Sequence, residues 1–190
     1  MKFEQMINDL MKEYTTENCY KFWIVINQKF PTVWDRSSSS TNKYHKRKDG
    51  SVQSIAEHTY EMLYSASKLI RMYNIQKNTI ECNTLFLSIV FHDFFKYGKD
   101  DPLNRQHTDR KHDQISADII LKNKETFLKI LDKENFYILE ESVRFHSGRW
   151  STDLNKKNEK EKDEFLSGVH PISSFVHMLD MMSCNDLIKI

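Results

Sequence analysis

Four of the eight histidines, His58, His92, His112 and His146, fall on or at the ends of four separate stretches with helical patterning. His92 is followed at once by Asp93, and a fifth stretch carries Asp180 inside "VHMLDMM", a carboxylate in an otherwise apolar turn. Residues 78–98, "NTIECNTLFLSIVFHDFFKYG", are apolar nearly all round, the pattern of a central, buried helix. Burying a His-Asp pair there without a partner is expensive, and a divalent cation is the strongest partner available. Imidazole and carboxylate with no thiolate suit Mn, Fe, Co, Ni, Zn or Mg and do not choose among them. Lys96 follows over the same face, within reach of Asp93 or of a substrate phosphate.

Each histidine also has a plainer explanation. A lone histidine on an apolar helix face is more often a satisfied core residue than a ligand, whereas His92 and Asp93 together resist that account. His107, in "RQHTDRKHD", rivals His112. His112 is preferred because Ile115, Ala117, Ile119 and Ile120 follow it at helical spacing, while His107 sits among polar residues. His170 and His177 read as structural or surface residues, with His177 one turn from Asp180 and able to support a ligand from behind.

The elements that must position these groups are helices. Apolar spacing predicts them over 3–14, 17–30, 54–75, 78–98, 112–123, 134–148 and 173–190, with Gly98 ending the fourth. No repeat and no alternating strand pattern stands out. Two stretches resist helices: 31–53, and 151–170, whose "NKKNEKEKDE" reads as a solvated loop or exposed helical turn. The expectation is an all-α chain forming one domain over 1–190, with helices of 1–35 packed on the rest.

Bulk properties narrow the function. Only 4 glycines and 3 prolines in 190 residues disfavour an all-β chain. A net charge of +1 supplies no global field toward nucleic acid or membrane, so any such attraction must be local. Three widely spaced cysteines, Cys19, Cys82 and Cys184, with no CxxC pair, argue against a disulfide framework or a zinc-thiolate site. The start "MKFEQMINDL" carries acids where a signal peptide would be apolar, and the run 85–91 is far short of a membrane span. A cytoplasmic location is expected, and no membrane partner.

Local charge does occur around the histidines. Arg105, Arg110 and Lys111 make a basic loop just before His112, and "SGRWS" follows His146 directly. In the latter Gly148 permits a turn, Arg149 offers a planar fork for phosphate, and Trp150 a ring for stacking on a base or for capping the core. "SSSSTNKYHKRK" (37–48) looks like a linker by composition, yet it holds the densest basic stretch of the chain. Its hydroxyls and free N–H groups could wrap a phosphate, with Lys43 and His45 as substrate contacts.

The order His58, His92-Asp93, His112, His146, Asp180, with "HDFFK" fitting H-D-x-x-K, resembles the HD-domain superfamily of metal-dependent phosphohydrolases. The resemblance runs from about residue 36 to 184 and includes "AEHTYEML", "HDQISADII", "FHSGRWS" and "FVHMLDMMS". It implies a helical HD bundle in which His58, His92, Asp93 and Asp180 hold one metal, and His112 and His146, with Asp93 bridging, hold a second. The serine segment is similar to one that precedes the first ligand helix in some bacterial and phage HD proteins. Here Gly50 stands alone where those carry a glycine pair.

The activity implied is two-metal hydrolysis of a phosphoester, with Asp93 and Lys96 central. The implied substrate is a phosphate-bearing small molecule, such as a nucleotide, or a short single-stranded nucleic acid. Two other outcomes remain open: a few HD-fold proteins with similar ligand order are mixed-valence di-iron oxygenases, and a metal-bound module could sense nucleotide without turnover.

Overall fold

The computed structural model describes residues 2–29, 33–39, 50–100, 102 and 105–184. Nine α-helices form there, with short 3-10 turns and no strand among the described residues, so the chain is all-α as its spacing predicts. They are α1 (Lys2–Tyr14), α2 (Glu17–Lys29), α3 (Ile55–Leu69), α4 (Ile80–His92), α5 (His112–Lys122), α6 (Lys124–Phe127), α7 (Lys133–Arg144), α8 (Glu159–Ser167) and α9 (Pro171–Cys184). No helix among the described residues is long and apolar enough to cross a membrane.

Side-chain caps start several of these helices. Ser54 accepts from the Glu57 N–H at 3.1 Å, Thr79 from Cys82 at 3.2 Å, and Asp132 from Asn135 at 2.8 Å. Asn158 and Glu161 form a reciprocal capping box that starts α8, so the exposed helical reading of the charged stretch holds there, with none of its residues buried.

The central helix α4 is buried from Cys82 to His92 and packs against α1, α3, α5, α7 and α9. It is shorter than its apolar run predicts. His92 is the last helical residue, Asp93 leaves helical geometry at φ −108° and ψ 8°, and residues 93–97 form turns. Those turns close through i to i−3 bonds, Phe94 N–H to Phe91 C=O, Lys96 to Asp93 and Gly98 to Phe95. The run nevertheless stays apolar to its end, because Phe94, Phe95 and Tyr97 are all buried.

An aromatic cage holds this helix end in place. Trp23 and Trp34 pack edge-on to each other at 5.8 Å; Trp34 meets Phe94 at 5.7 Å and Trp23 meets Phe91 at 6.3 Å. Their indole N–H groups are satisfied inside the core: Trp23 donates to Asn8 Oδ1 at 2.8 Å and Trp34 to Asn27 Oδ1 at 2.5 Å. The N-terminal helices thus brace the residues on either side of His92 and Asp93.

The described start of the serine segment is docked. Ser38 donates to the Gln53 carbonyl through both its N–H (2.9 Å) and its hydroxyl (3.0 Å), Ile55 N–H donates to Arg36 C=O at 2.7 Å, and Tyr97 Oη donates to Ser37 C=O at 2.9 Å. This segment therefore lies against the start of α3, the helix that carries His58, and the turn that follows Asp93.

Candidate metal centre

The six residues expected as ligands come from five elements that end near one point. His58 lies in the first turns of α3, His92 closes α4, Asp93 caps it, and His112 opens α5. His146 sits in the turn after α7, and Asp180 in α9. His58, His92, Asp93 and His146 are at most 1% exposed.

Asp93 organises the cluster. Its Oδ2 lies 3.4 Å from His92 Nε2 and 3.9 Å from His58 Nε2, while Oδ1 lies 3.2 Å from His112 Nε2 and 3.7 Å from His146 Nε2. Asp180 Oδ1 adds a second carboxylate 3.2 Å from His58 Nε2. Among the described residues two groups could hold a cation, His58–His92–Asp93 and Asp93–His112–His146, and they share the carboxylate.

The imidazoles are oriented for this. Nδ1 of His92 lies 2.6 Å from the Ile89 carbonyl, that of His146 2.7 Å from Val143, and that of His112 2.9 Å from Asp109. A carbonyl only accepts, so each Nδ1 carries a proton, and in its neutral form each ring turns an Nε2 lone pair inward. Inside, His58 and His92 face Nε2 to Nε2 at 3.1 Å, and His112 and His146 at 3.2 Å. Two lone pairs at that distance repel unless positive charge lies between them. Ligands about 2.1 Å from one ion, at angles of about 90–109°, stand roughly 3.0–3.4 Å apart. Both pairs fit that spacing. Asp93 Oδ1, fully buried, has no hydrogen-bond partner among the described residues, which also fits a cation ligand.

Charge follows the same pattern. Burial alone would raise Asp93, but the Lys96 ammonium and His92 outweigh it and hold the carboxyl well below its usual range. Burial likewise opposes ionisation of Asp180, which His58 and His92 keep low. Lys96 donates to Asp93 Oδ2, and despite its burial the charges of Asp93 and Asp180 raise its pKa. His92 is pushed down by burial and more strongly up by Asp93 and Asp180, whereas burial, with His92 and His112 nearby, lowers His146 to about 4.

The substrate-side expectations separate. Lys43 and His45 lie outside the described residues. Arg110 and Lys111 are exposed immediately before His112, and neither side chain has an ion-pair partner among the described residues. Arg105 is tied to Asp109 and packs over Gly98, whose lack of a Cβ leaves room for it. Arg149 turns its fork to α8, to Glu159 at 2.7 Å and to Asp163, not to the cluster. Trp150 is 68% exposed, so it does not cap the core. His107 is exposed, and His112 is the histidine that reaches Asp93. His177 donates from Nδ1 to the His146 carbonyl at 2.6 Å and so supports a ligand from behind.

Sequence reasoning passes over Asp109 and Asp113, which fix the second half. Asp109 presents its carbonyl to His112 and accepts the Lys111 N–H, while Asp113 clamps Thr152 through its N–H at 2.6 Å and its hydroxyl at 2.5 Å. Their only signal in the sequence is proximity to His112. No family model, curated protein or solved structure matches the chain.

Proposed function

We propose that the chain is an HD-type metal-dependent phosphohydrolase that cleaves a phosphoester in a nucleotide or a short single-stranded nucleic acid. The observation that carries this reading is the Asp93 carboxylate, with one oxygen turned to His58 and His92 and the other to His112 and His146. Two divalent cations held by such a set would lower the pKa of a water and neutralise charge developing on a phosphoryl group.

The chain's own residues favour a phosphate. Two carboxylates, neutral imidazoles and Lys96 leave the centre net positive once two cations are counted, complementary to an anion. Arg110 and Lys111 add exposed cations at the rim, beside His112. Trp150, exposed and four residues after His146, offers a face on which a base can stack. Lys96, bonded to Asp93, keeps that carboxylate ionised and oriented between the histidine pairs.

Metal analysis of the purified protein, coupled to turnover of dNTPs, cyclic dinucleotides and single-stranded oligonucleotides with Mn²⁺, tests the reading. About two divalent ions per chain and cleavage of a P–O bond are expected. Bound iron with O₂ consumption and no phosphoester cleavage would replace it with an oxygenase, and metal without any turnover with a sensing module.

A further inference from the structure

Three of the four histidines take a backbone carbonyl at Nδ1; His58 takes a side chain. Its Nδ1 lies 2.9 Å from Ser183 Oγ of α9, and that hydroxyl donates onward to Glu61 Oε2 at 2.9 Å. Gln53 holds the same Glu61 oxygen through Nε2 at 2.8 Å, and its own carbonyl receives Ser38 of the serine segment. By way of the backbone carbonyl and the side-chain amide of Gln53, a line of hydrogen bonds thus runs from Ser38 through the half-buried Glu61 and then Ser183 to His58.

A hydroxyl has one proton, and its direction decides the tautomer of the ring behind it. A carboxylate only accepts, so while Glu61 holds the Ser183 proton, Ser183 must accept from His58 Nδ1–H. Nε2 is then bare and faces His92 Nε2 at 3.1 Å. Without Glu61 the hydroxyl is free to turn its proton onto Nδ1. His58 would then carry its hydrogen on Nε2, where Asp180 Oδ1 waits at 3.2 Å, and that nitrogen would be closed to a cation.

We propose that Glu61 and Ser183 are positioning residues that fix His58 in its metal-ligating tautomer, with Gln53 tying this setting to the serine segment. The inference rests on the metal reading above, but its first test does not. Histidine ¹⁵N spectra of the metal-free protein should show His58 protonated on Nδ1, and Glu61→Leu should move it to the Nε2–H form. Titration with Mn²⁺ should then show Ser183→Ala and Glu61→Leu losing about 10-fold to 100-fold in affinity for one of two ions. Ser183→Thr, which keeps the hydroxyl, should bind as the wild type does.

If wild-type protein binds no Mn²⁺, the metal reading fails while the spectra still judge the relay. If His58 keeps its Nδ1 proton in Glu61→Leu, or Ser183→Ala binds both ions as tightly as wild type, the relay is overturned. Circular dichroism of each variant identifies a folding defect, and if Glu61→Leu shows one, Ser183→Ala, which removes only the hydroxyl, decides the matter by the same two readouts. His58 moving to the Nε2–H form with weakened Mn²⁺ binding supports the relay, and an unchanged tautomer and affinity overturn it.

Discussion

The two halves of the cluster share Asp93 but are built differently. The His58–His92 half belongs to the core: both rings are fully buried, they come from α3 and α4, and Asp180 of α9 closes the side. The His112–His146 half belongs to helix ends and turns. His112 opens α5 with its side chain 16% exposed, and His146 sits in the turn that leads to the exposed Trp150. The first half is therefore set by packing around buried hydrogen bonds, and the second, at helix ends, by hydrogen bonds that involve Asp109, Asp113 and His177. A site divided in this way would offer a cation a rigid position inside and a more accessible one at the rim.

Removing the shared carboxylate has the largest expected effect. Asp93→Asn keeps the shape but takes the anionic bridge from both halves, so both ions should be lost. Turnover should fall by about 10³-fold or more, since the cations are asked for several kcal/mol. Metal content by elemental analysis, with helicity by circular dichroism, checks it. A variant that keeps two ions and wild-type turnover would show that the halves do not depend on Asp93.

Next come the two single-histidine variants, which should part along the same division. His92→Ala opens a cavity in the core and should lower stability by roughly 2–5 kcal/mol as well as remove the inner ion. His112→Ala, at a partly exposed helix start, should change stability by less than about 1 kcal/mol and leave about one ion bound. Thermal melts beside metal stoichiometry separate the cases. Equal losses of stability in both variants would erase the distinction between a packed half and a tethered one.

This division also explains what is legible in the sequence. The inner half is readable because a His-Asp pair in an apolar run has few explanations, and His112 is readable from the helical spacing that follows it. The end of α4 is not. Phe94, Phe95 and Tyr97 extend the apolar pattern through turns that are buried without being helical, so periodicity overruns the helix by several residues. The capping signal Asn158…Glu161 stands in the sequence, but dense charge around it masks α8. Contacts between remote residues, such as Ser183 with Glu61, leave no local trace at all. The turn of the Arg149 fork onto α8 is hidden for the same reason, since its partners belong to a helix that periodicity does not reveal.

A smaller effect is expected at Gly148. Its φ is +57°, and a Cβ there would stand 2.5 Å from Cε1 of His177. Gly148→Ala should destabilise by about 1–3 kcal/mol, from left-handed backbone and from the displaced ring. His177 donates to the His146 carbonyl, so affinity for the outer ion should weaken while the inner ion is unchanged. Adding His177→Ala removes the clash, and a double-mutant cycle should show positive recovery of stability. No recovery would place the strain in the backbone alone.

The smallest effect belongs to Arg149, where sequence and structure point in different directions. A guanidinium directly after a ligand turn reads as a phosphate fork, yet its two arms reach Glu159 and Asp163 on α8. Both acids are largely exposed, so the pairs contribute little, and Arg149→Ala should cost less than about 1 kcal/mol. Its KM for a nucleotide should stay within about 2-fold of wild type, because no phosphate contact is lost. Trp150→Ala beside it should leave stability equally untouched and raise KM only for substrates that carry a base, since stacking is worth about 1–3 kcal/mol. If Arg149→Ala instead raises KM tenfold, the fork leaves α8 when substrate binds. The rim half of the cluster would then be completed by a side chain that the inner half has no counterpart for.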